Sequence, residues 1–260
     1  MAINAYLVLG TVGSGRLGTV YDIMENGFLE DDFCAVFASK AEPSGEFEAK
    51  ISDSGAGGLV VYESEADVIK ILKSDDAERF TKVVYIADSS KEFAEQIEFF
   101  KSLCDARILK LCRVWGFVDC ELFTKAWDVC APYFAAIAHF SDCLFLTNRG
   151  AITNKQSDAI REHFEKMFHP HLYVNVKKGF RVDNPMDITV DEARRITMYF
   201  DDYDPIDELE LDEDDLPEEP FDLTKKPDPY LETAENGMRL KPLPDLRALR
   251  EKLKNEESKS

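Results

Sequence analysis

The chain has 260 residues, 45% of them hydrophobic and 32% charged, with a formal net charge of −20. That length holds one large α/β domain or two small ones, and the charge argues against nucleic acid or an anionic membrane surface as a partner. No apolar run reaches the length of a membrane span, and the first residues lack the basic leader of a signal peptide. The six cysteines are scattered without a C-x-x-C pair, the pattern of reduced core thiols in a cytoplasmic protein.

In chain order, residues 1–200 alternate strand-like and helix-like segments, which predicts an α/β fold with a mostly parallel sheet. The strand candidates are Ala5–Leu9, Phe33–Ala38, Gly58–Tyr62, Val83–Ala87, Lys110–Val118, Cys143–Thr147 and Leu172–Val176. Several are nearly continuous apolar runs, as expected of central strands covered on both faces. Helices are predicted over Leu17–Asn26, Ala66–Lys73, Lys91–Cys104, Tyr133–Phe140, Lys155–Phe168 and Asp191–Phe200. From Asp201 to Asp222 there are thirteen acidic residues and no basic one. Such a run cannot bury enough apolar surface to offset its ordering entropy, so residues 201–244 are expected to be a largely disordered acidic tail. A short amphipathic helix over residues 245–255 follows, with Asp245 as its cap. Alone it is too short to be stable in water. It either docks on the domain or, with the acidic tail, binds a protein partner.

The stretch Gly10-Thr-Val-Gly-Ser-Gly-Arg16 lies between the first strand and the first helix. Strand, glycine-rich turn and helix are the setting in which backbone amides cradle a polyphosphate. The spacing fits G-x-x-x-x-G-K-[S/T], but Arg16 replaces the lysine and Leu17 the hydroxyl that binds magnesium. A leucine cannot ligate Mg²⁺, which requires oxygen. The same stretch also satisfies the dinucleotide fingerprint through Gly13, Gly15 and Gly18, although the strand pattern stops at Leu9 and leaves Gly13 three residues beyond Gly10. The pair His169-x-His171 lacks a third ligand at suitable spacing, so no metal site is expected there.

Several segments resemble, in order, those of the CobW-type P-loop GTPases, a group allied to the HypB and UreG nucleotide-binding domains. The phosphate loop G-F-L-G-S-G-K-T-T is matched by Gly10 to Gly18, and A-V-I-V-N-E-F-G by Ala35-Val-Phe-Ala-Ser-Lys-Ala-Glu42. V-V-D-A is matched at Trp115-Gly-Phe-Val118-Asp119-Cys120, and the base-binding segment ending in N-K-x-D at Asn148-Arg149-Gly-Ala151. A following turn is matched by Phe168-His-Pro170-His, so the resemblance spans residues 4–180. It implies a three-layer P-loop NTPase sandwich over residues 1–200. It further implies that Gly10, Gly13, Ser14, Gly15, Arg16, Asn148 and Arg149 hold GTP or another nucleotide. Asp88, one position from the family's acid after the fourth strand, is the catalytic candidate. The departures fall on the chemistry. The guanine-reading aspartate is Ala151, the metal motif G-C-x-C-C has no cysteine equivalent in Gly55-Ala-Gly-Gly58, and Mg²⁺ has lost its hydroxyl. These losses imply a divergent or pseudo-GTPase acting through protein or metal-related contacts. The alternatives are an active metal-insertion GTPase using Ser14 or Thr19 around its metal, and a dinucleotide-dependent enzyme.

Overall fold

A computed structural model describes residues 2–42, 45–201 and 227–257. It divides into two units, residues 1–196 with 243–260, and residues 197–242. The first unit is built on seven strands: β1 (Ile3–Leu9), β2 (Cys34–Ser39), β3 (Gly57–Tyr62), β4 (Lys82–Ile86), β5 (Leu109–Asp119), β6 (Cys143–Thr147) and β7 (Leu172–Asn175). All pair in parallel, in the order β3-β2-β4-β1-β5-β6-β7. Each predicted strand is present, with its ends shifted by no more than two residues.

The parallel crossovers are right-handed by the usual rule. This puts α1 (Arg16–Gly27) and α2 (Gly45–Ser52) on one face of the sheet. The other face carries α3 (Glu65–Leu72), α4 (Phe93–Asp105), α5 (Cys120–Lys125), α6 (Trp127–Phe140) and α7 (Asn154–Glu165). Alternate side chains serve the two faces because successive residues of a strand point to opposite sides. On the α1 side, Tyr6 and Val8 of β1 pack with Val20, Ile23 and Met24 of α1, and with Trp115 and Phe117 of β5. Phe117 stacks on Phe145 of β6 at 4.6 Å, the rings nearly parallel. The short α8 (Pro185–Thr189) closes this face against α1, with the Thr189 hydroxyl donating to Gly27 O at 2.9 Å.

The sequence expectation omits α2, α5 and α8, and two further stretches differ from it. The helix over Asp191–Phe200 does not form. Its donors serve a buried carboxylate instead: Asp142, fully buried before β6, accepts from the Arg194 amide at 2.5 Å and from the Arg195 guanidinium at 3.2 Å. Without them this buried carboxylate would keep only the Val114 amide, at 2.7 Å, a loss that outweighs what the local helix gains. Conversely, α6 starts at Trp127 and runs through Pro132, because the buried Cys130, Phe134, Ile137 and Ala138 anchor it despite one lost backbone bond.

In the second unit, Thr197 donates to Asp228 at 2.6 Å and an isolated bridge joins Thr233 to Arg239. Of the stretch 201–244 expected to be largely disordered, residues 202–226 lie outside the described residues. Residues 227–242 carry this bridge and its turn. The terminal helix, α9 (Leu246–Glu257), belongs to the first unit, so it docks on the domain. Among the described residues, no helix is long and apolar enough to cross a membrane.

Candidate functional site

Connections leave β1 toward one edge of the sheet and β5 toward the other, so a crevice opens beyond their C-terminal ends. Leu9 runs into Gly10, and the loop reaches α1 at Gly15, which is in the left-handed region with φ 79°. Gly13 has φ 76°. The leading amides of a helix lack intrahelical acceptors, so this loop has the backbone shape of an anion cradle. Ser14 is fully buried and spends its hydroxyl on Thr11 O at 2.7 Å.

Arg16 opens α1 at the position of the phosphate-loop lysine, and its side chain turns inward. Only 1% of it is exposed. One guanidinium nitrogen donates to Gly10 O at 3.0 Å and to Ala87 O at 2.9 Å, tying the ends of β1 and β4 together. The other two face Glu42, one at 3.3 Å from Oε1 and one in close contact with Oε2. Glu42 is itself 5% exposed, so this is a buried, two-point ion pair. Leu17 lies 5% exposed within the α1-side core, where no metal ligand is formed.

The end of β5 supplies Asp119, fully buried. One of its oxygens caps α5 through the Leu122 amide at 3.0 Å, and the other accepts from Asn148 Nδ2 at 2.9 Å. Burial pushes its carboxyl up from the ordinary carboxylate range, against the pull of Arg250, the Leu122 amide and Asn148. Asn148 stands in the left-handed region after β6, and its amide also reaches Gly13 O at 3.3 Å. Two predicted site residues, Gly13 of the loop and Asn148, are thus brought together. Arg149 is not: its Nε donates to Ser157 of α7 at 3.3 Å. Asp88, two residues beyond β4, uses Oδ1 to hold the Ser90 amide and hydroxyl, at 2.9 and 2.6 Å.

Four residues were not singled out from the sequence as site residues. Glu42 and Asp119 sit inside motif-like segments, and that placement was the available signal. Phe180 and Arg250 carried none. Phe180, in the tight turn after β7, lays its ring against the start of α1, where a Cβ on Gly15 would lie 2.5 Å from it and one on Gly18 2.7 Å. Gly18 therefore faces an aromatic ring from within α1. The guanidinium of Arg250, from α9, contacts Asp119 and would collide with any Cβ on Gly13.

The oxygens near Arg16 are engaged within the protein. The Ser14 hydroxyl is on Thr11 O, that of Thr19 on Gly15 O at 3.0 Å, and Glu42 is on Arg16. Among the described residues no three His, Cys, Asp or Glu side chains are grouped to hold a metal. His169 and His171 approach each other at 3.1 Å, but His171 also faces Ser141 O, at the start of β6 and away from the crevice.

An all-parallel sheet with a glycine loop between its central strand and first helix, facing the ends of β4 and β5, defines the α/β fold of the P-loop NTPases. Solved structures with a similar fold include the Zn(II)-bound YjiA GTPase from E. coli (TM-score 0.49, 13% identity, covering 75% of this chain and 67% of that one). They also include the signal recognition particle receptor FtsY from Elizabethkingia anophelis in complex with GDP (0.46, 13%, 74% and 65%). A third is HypB from Helicobacter pylori in complex with nickel (0.43, 11%, 67% and 78%). At these identities the likeness is one of fold. No family model and no curated protein sequence matches the chain.

Proposed function

We propose that this chain is a CobW-like pseudo-GTPase: a P-loop protein whose phosphate site is kept in shape but satisfied internally. It binds nucleotide weakly or not at all, hydrolyses it slowly or not at all, and acts through contacts with another protein. The observation that carries this reading is the inward Arg16, which spends its charge on Glu42, Gly10 O and Ala87 O. Phosphoryl transfer depends mostly on positioning and on neutralising charge on the phosphates. A cation already paired with a buried carboxylate offers little of that neutralisation, and Leu17 removes the metal that would share the task. Ala151 lacks the carboxylate that reads guanine, so base selection is weakened too. The acidic run from Asp201 to Asp222 gives the partner its chemistry: a basic protein surface.

The test is calorimetry of the full chain with GTP, ATP and NAD, each with and without Mg²⁺, alongside a phosphate-release assay. The expected result is weak or undetectable heat, no effect of magnesium and no turnover. Magnesium-dependent GTP binding with steady turnover overturns the reading in favour of an active GTPase. Tight NAD binding overturns it in favour of a dinucleotide site.

A further inference from the structure

The terminal helix α9 lies beside the glycine loop. Asp245 starts it by accepting from the Arg247 amide at 2.9 Å, and Leu246, 3% exposed, is its buried anchor. Arg250 then reaches across the mouth of the loop, touching the Asp119 carboxylate and lying 3.5 Å from Gly13 O. Between helix and loop there remains a cavity of ≈ 310 Å³, lined by Gly13, Asn148 and the α5 residues Glu121, Leu122 and Lys125 of the domain and by Arg250 and Leu253 of α9. The Gly13 carbonyl, the Asn148 side chain and the strand-end carboxylate are therefore all engaged by one another or by α9.

We propose that α9 is an autoinhibitory plug, and that Arg250 is the contact that holds it in the phosphate-loop crevice. The contact suits a displaceable part. A helix of this length is marginal in water and is held by its docking. The partners of Arg250 are acceptors of the protein itself, the Asp119 carboxylate and a loop carbonyl, and Leu253 lines the same cavity beside Gly13. Asp119 keeps Asn148 and the Leu122 amide when Arg250 leaves, so release does not strand it without donors. An anion approaching the loop binds only the fraction of molecules in which α9 is out, and its apparent affinity is reduced by that fraction. The proposal rests on the reading above only in taking the loop as the phosphate-binding surface.

The experiment compares full-length wild type with Arg250→Ala and Leu246→Asp, the second releasing the helix without touching Asp119. Hydrogen exchange without ligand is expected to speed up at residues 246–253 in both variants while β1 and β5 stay protected. If α9 is out in about a tenth of wild-type molecules or fewer, binding of the fluorescent nucleotide mant-GTP tightens about tenfold or more. Arg250→Ala is read only if its β1 and β5 protection is native; otherwise Leu246→Asp carries the test. Weaker mant-GTP binding in Arg250→Ala overturns the proposal, because Arg250 is then a ligand contact. Unchanged affinity with α9 released, including no binding by any of the three proteins, overturns it as well and leaves the pseudo-GTPase reading standing. Tight, magnesium-dependent binding by wild type overturns the pseudo-GTPase reading instead. A further tightening in the variants then still supports the plug.

Discussion

Replacing Glu42 with glutamine tests the central feature of the site, because it keeps the shape of the side chain and removes its charge. Arg16 and Glu42 are 1% and 5% exposed, so the guanidinium left behind is a buried cation without its counter-ion. Breaking a buried pair from one side costs about 3–5 kcal/mol in comparable cases. Gly10 O and Ala87 O still accept from Arg16, which puts Glu42→Gln near the lower end, at about 3 kcal/mol. For a domain of this size each kcal/mol lowers the melting temperature by about 2–4 °C, so the variant is expected to melt about 6–12 °C below wild type. The assay is a thermal melt followed by circular dichroism, extended to a double-mutant cycle with Arg16→Met. In the double variant neither charge is left unpaired, so its loss is expected to be well below the sum of the single losses. A Glu42→Gln protein melting with wild type, or single losses that simply add, would refute the claim that Arg16 is committed to the interior.

Two further outcomes follow from the geometry. Burial, with His169 beside it, holds His171 down at about 4 against the Ser141 carbonyl. Its folded value lies below its unfolded one, so the stability it lends is present above about pH 6.5 and is lost as pH falls toward 4, on the order of 3 kcal/mol in all. His163 and His169 are shifted in the same direction and Asp119 and Asp142 in the opposite one, so the comparison must be between variant and wild type. The urea midpoint of His171→Asn is expected to fall less than that of wild type between pH 7 and pH 4.5, and parallel curves would remove His171 as a cause. For the loop, Gly15→Ala forces a side chain into the left-handed region at φ 79° and against Phe180, at a cost of about 1–3 kcal/mol. Phe180→Ala in the same chain is expected to return only the steric part, and a fully stable Gly15→Ala would show that the loop yields.

The sheet was legible because a parallel strand covered on both faces leaves an unbroken apolar run, as in Cys34–Ala38 and Val83–Ala87. The loop was legible for a similar reason, since glycines at these spacings between a strand and a helix have few other uses. The direction of the Arg16 side chain was not. Whether an arginine points at a ligand or at a carboxylate twenty-six positions away depends on where β2 and its following turn lie, which no local pattern states. Arg250 was hidden more deeply. It belongs to the polar side of a short helix, where the ordinary expectation is solvent, and only its docked position 131 residues from Asp119 makes it part of the site. The missing helix at Asp191–Phe200 had the same origin, a buried carboxylate at Asp142 that competes for backbone amides from a distance.

Retention of the glycines does not by itself speak for nucleotide binding. A Cβ on Gly10 would lie 2.8 Å from Cβ of Phe117, one on Gly15 would strike Phe180, and one on Gly13 would strike Arg250. Gly10 and Gly15 are therefore required by neighbours within the protein, and Gly13 by its own backbone at φ 76°, whether or not a phosphate is ever held. The discriminating positions are 16 and 17, where the backbone tolerates many side chains and chemistry alone decides. At the first, a cation is kept but given a buried carboxylate. At the second, an oxygen is exchanged for a core leucine. These changes support one another. Without a metal hydroxyl at position 17 the loop has less to offer a triphosphate, and an outward cation at position 16 loses its purpose. Drawing that cation inward then needs a partner, which Glu42 supplies at the end of β2. Replacing Arg16 with lysine alone leaves both Leu17 and the Glu42 carboxylate in place, so on the proposed reading it is the pair of positions, together with Glu42, that sets this loop apart from the G-x-x-x-x-G-K-[S/T] pattern.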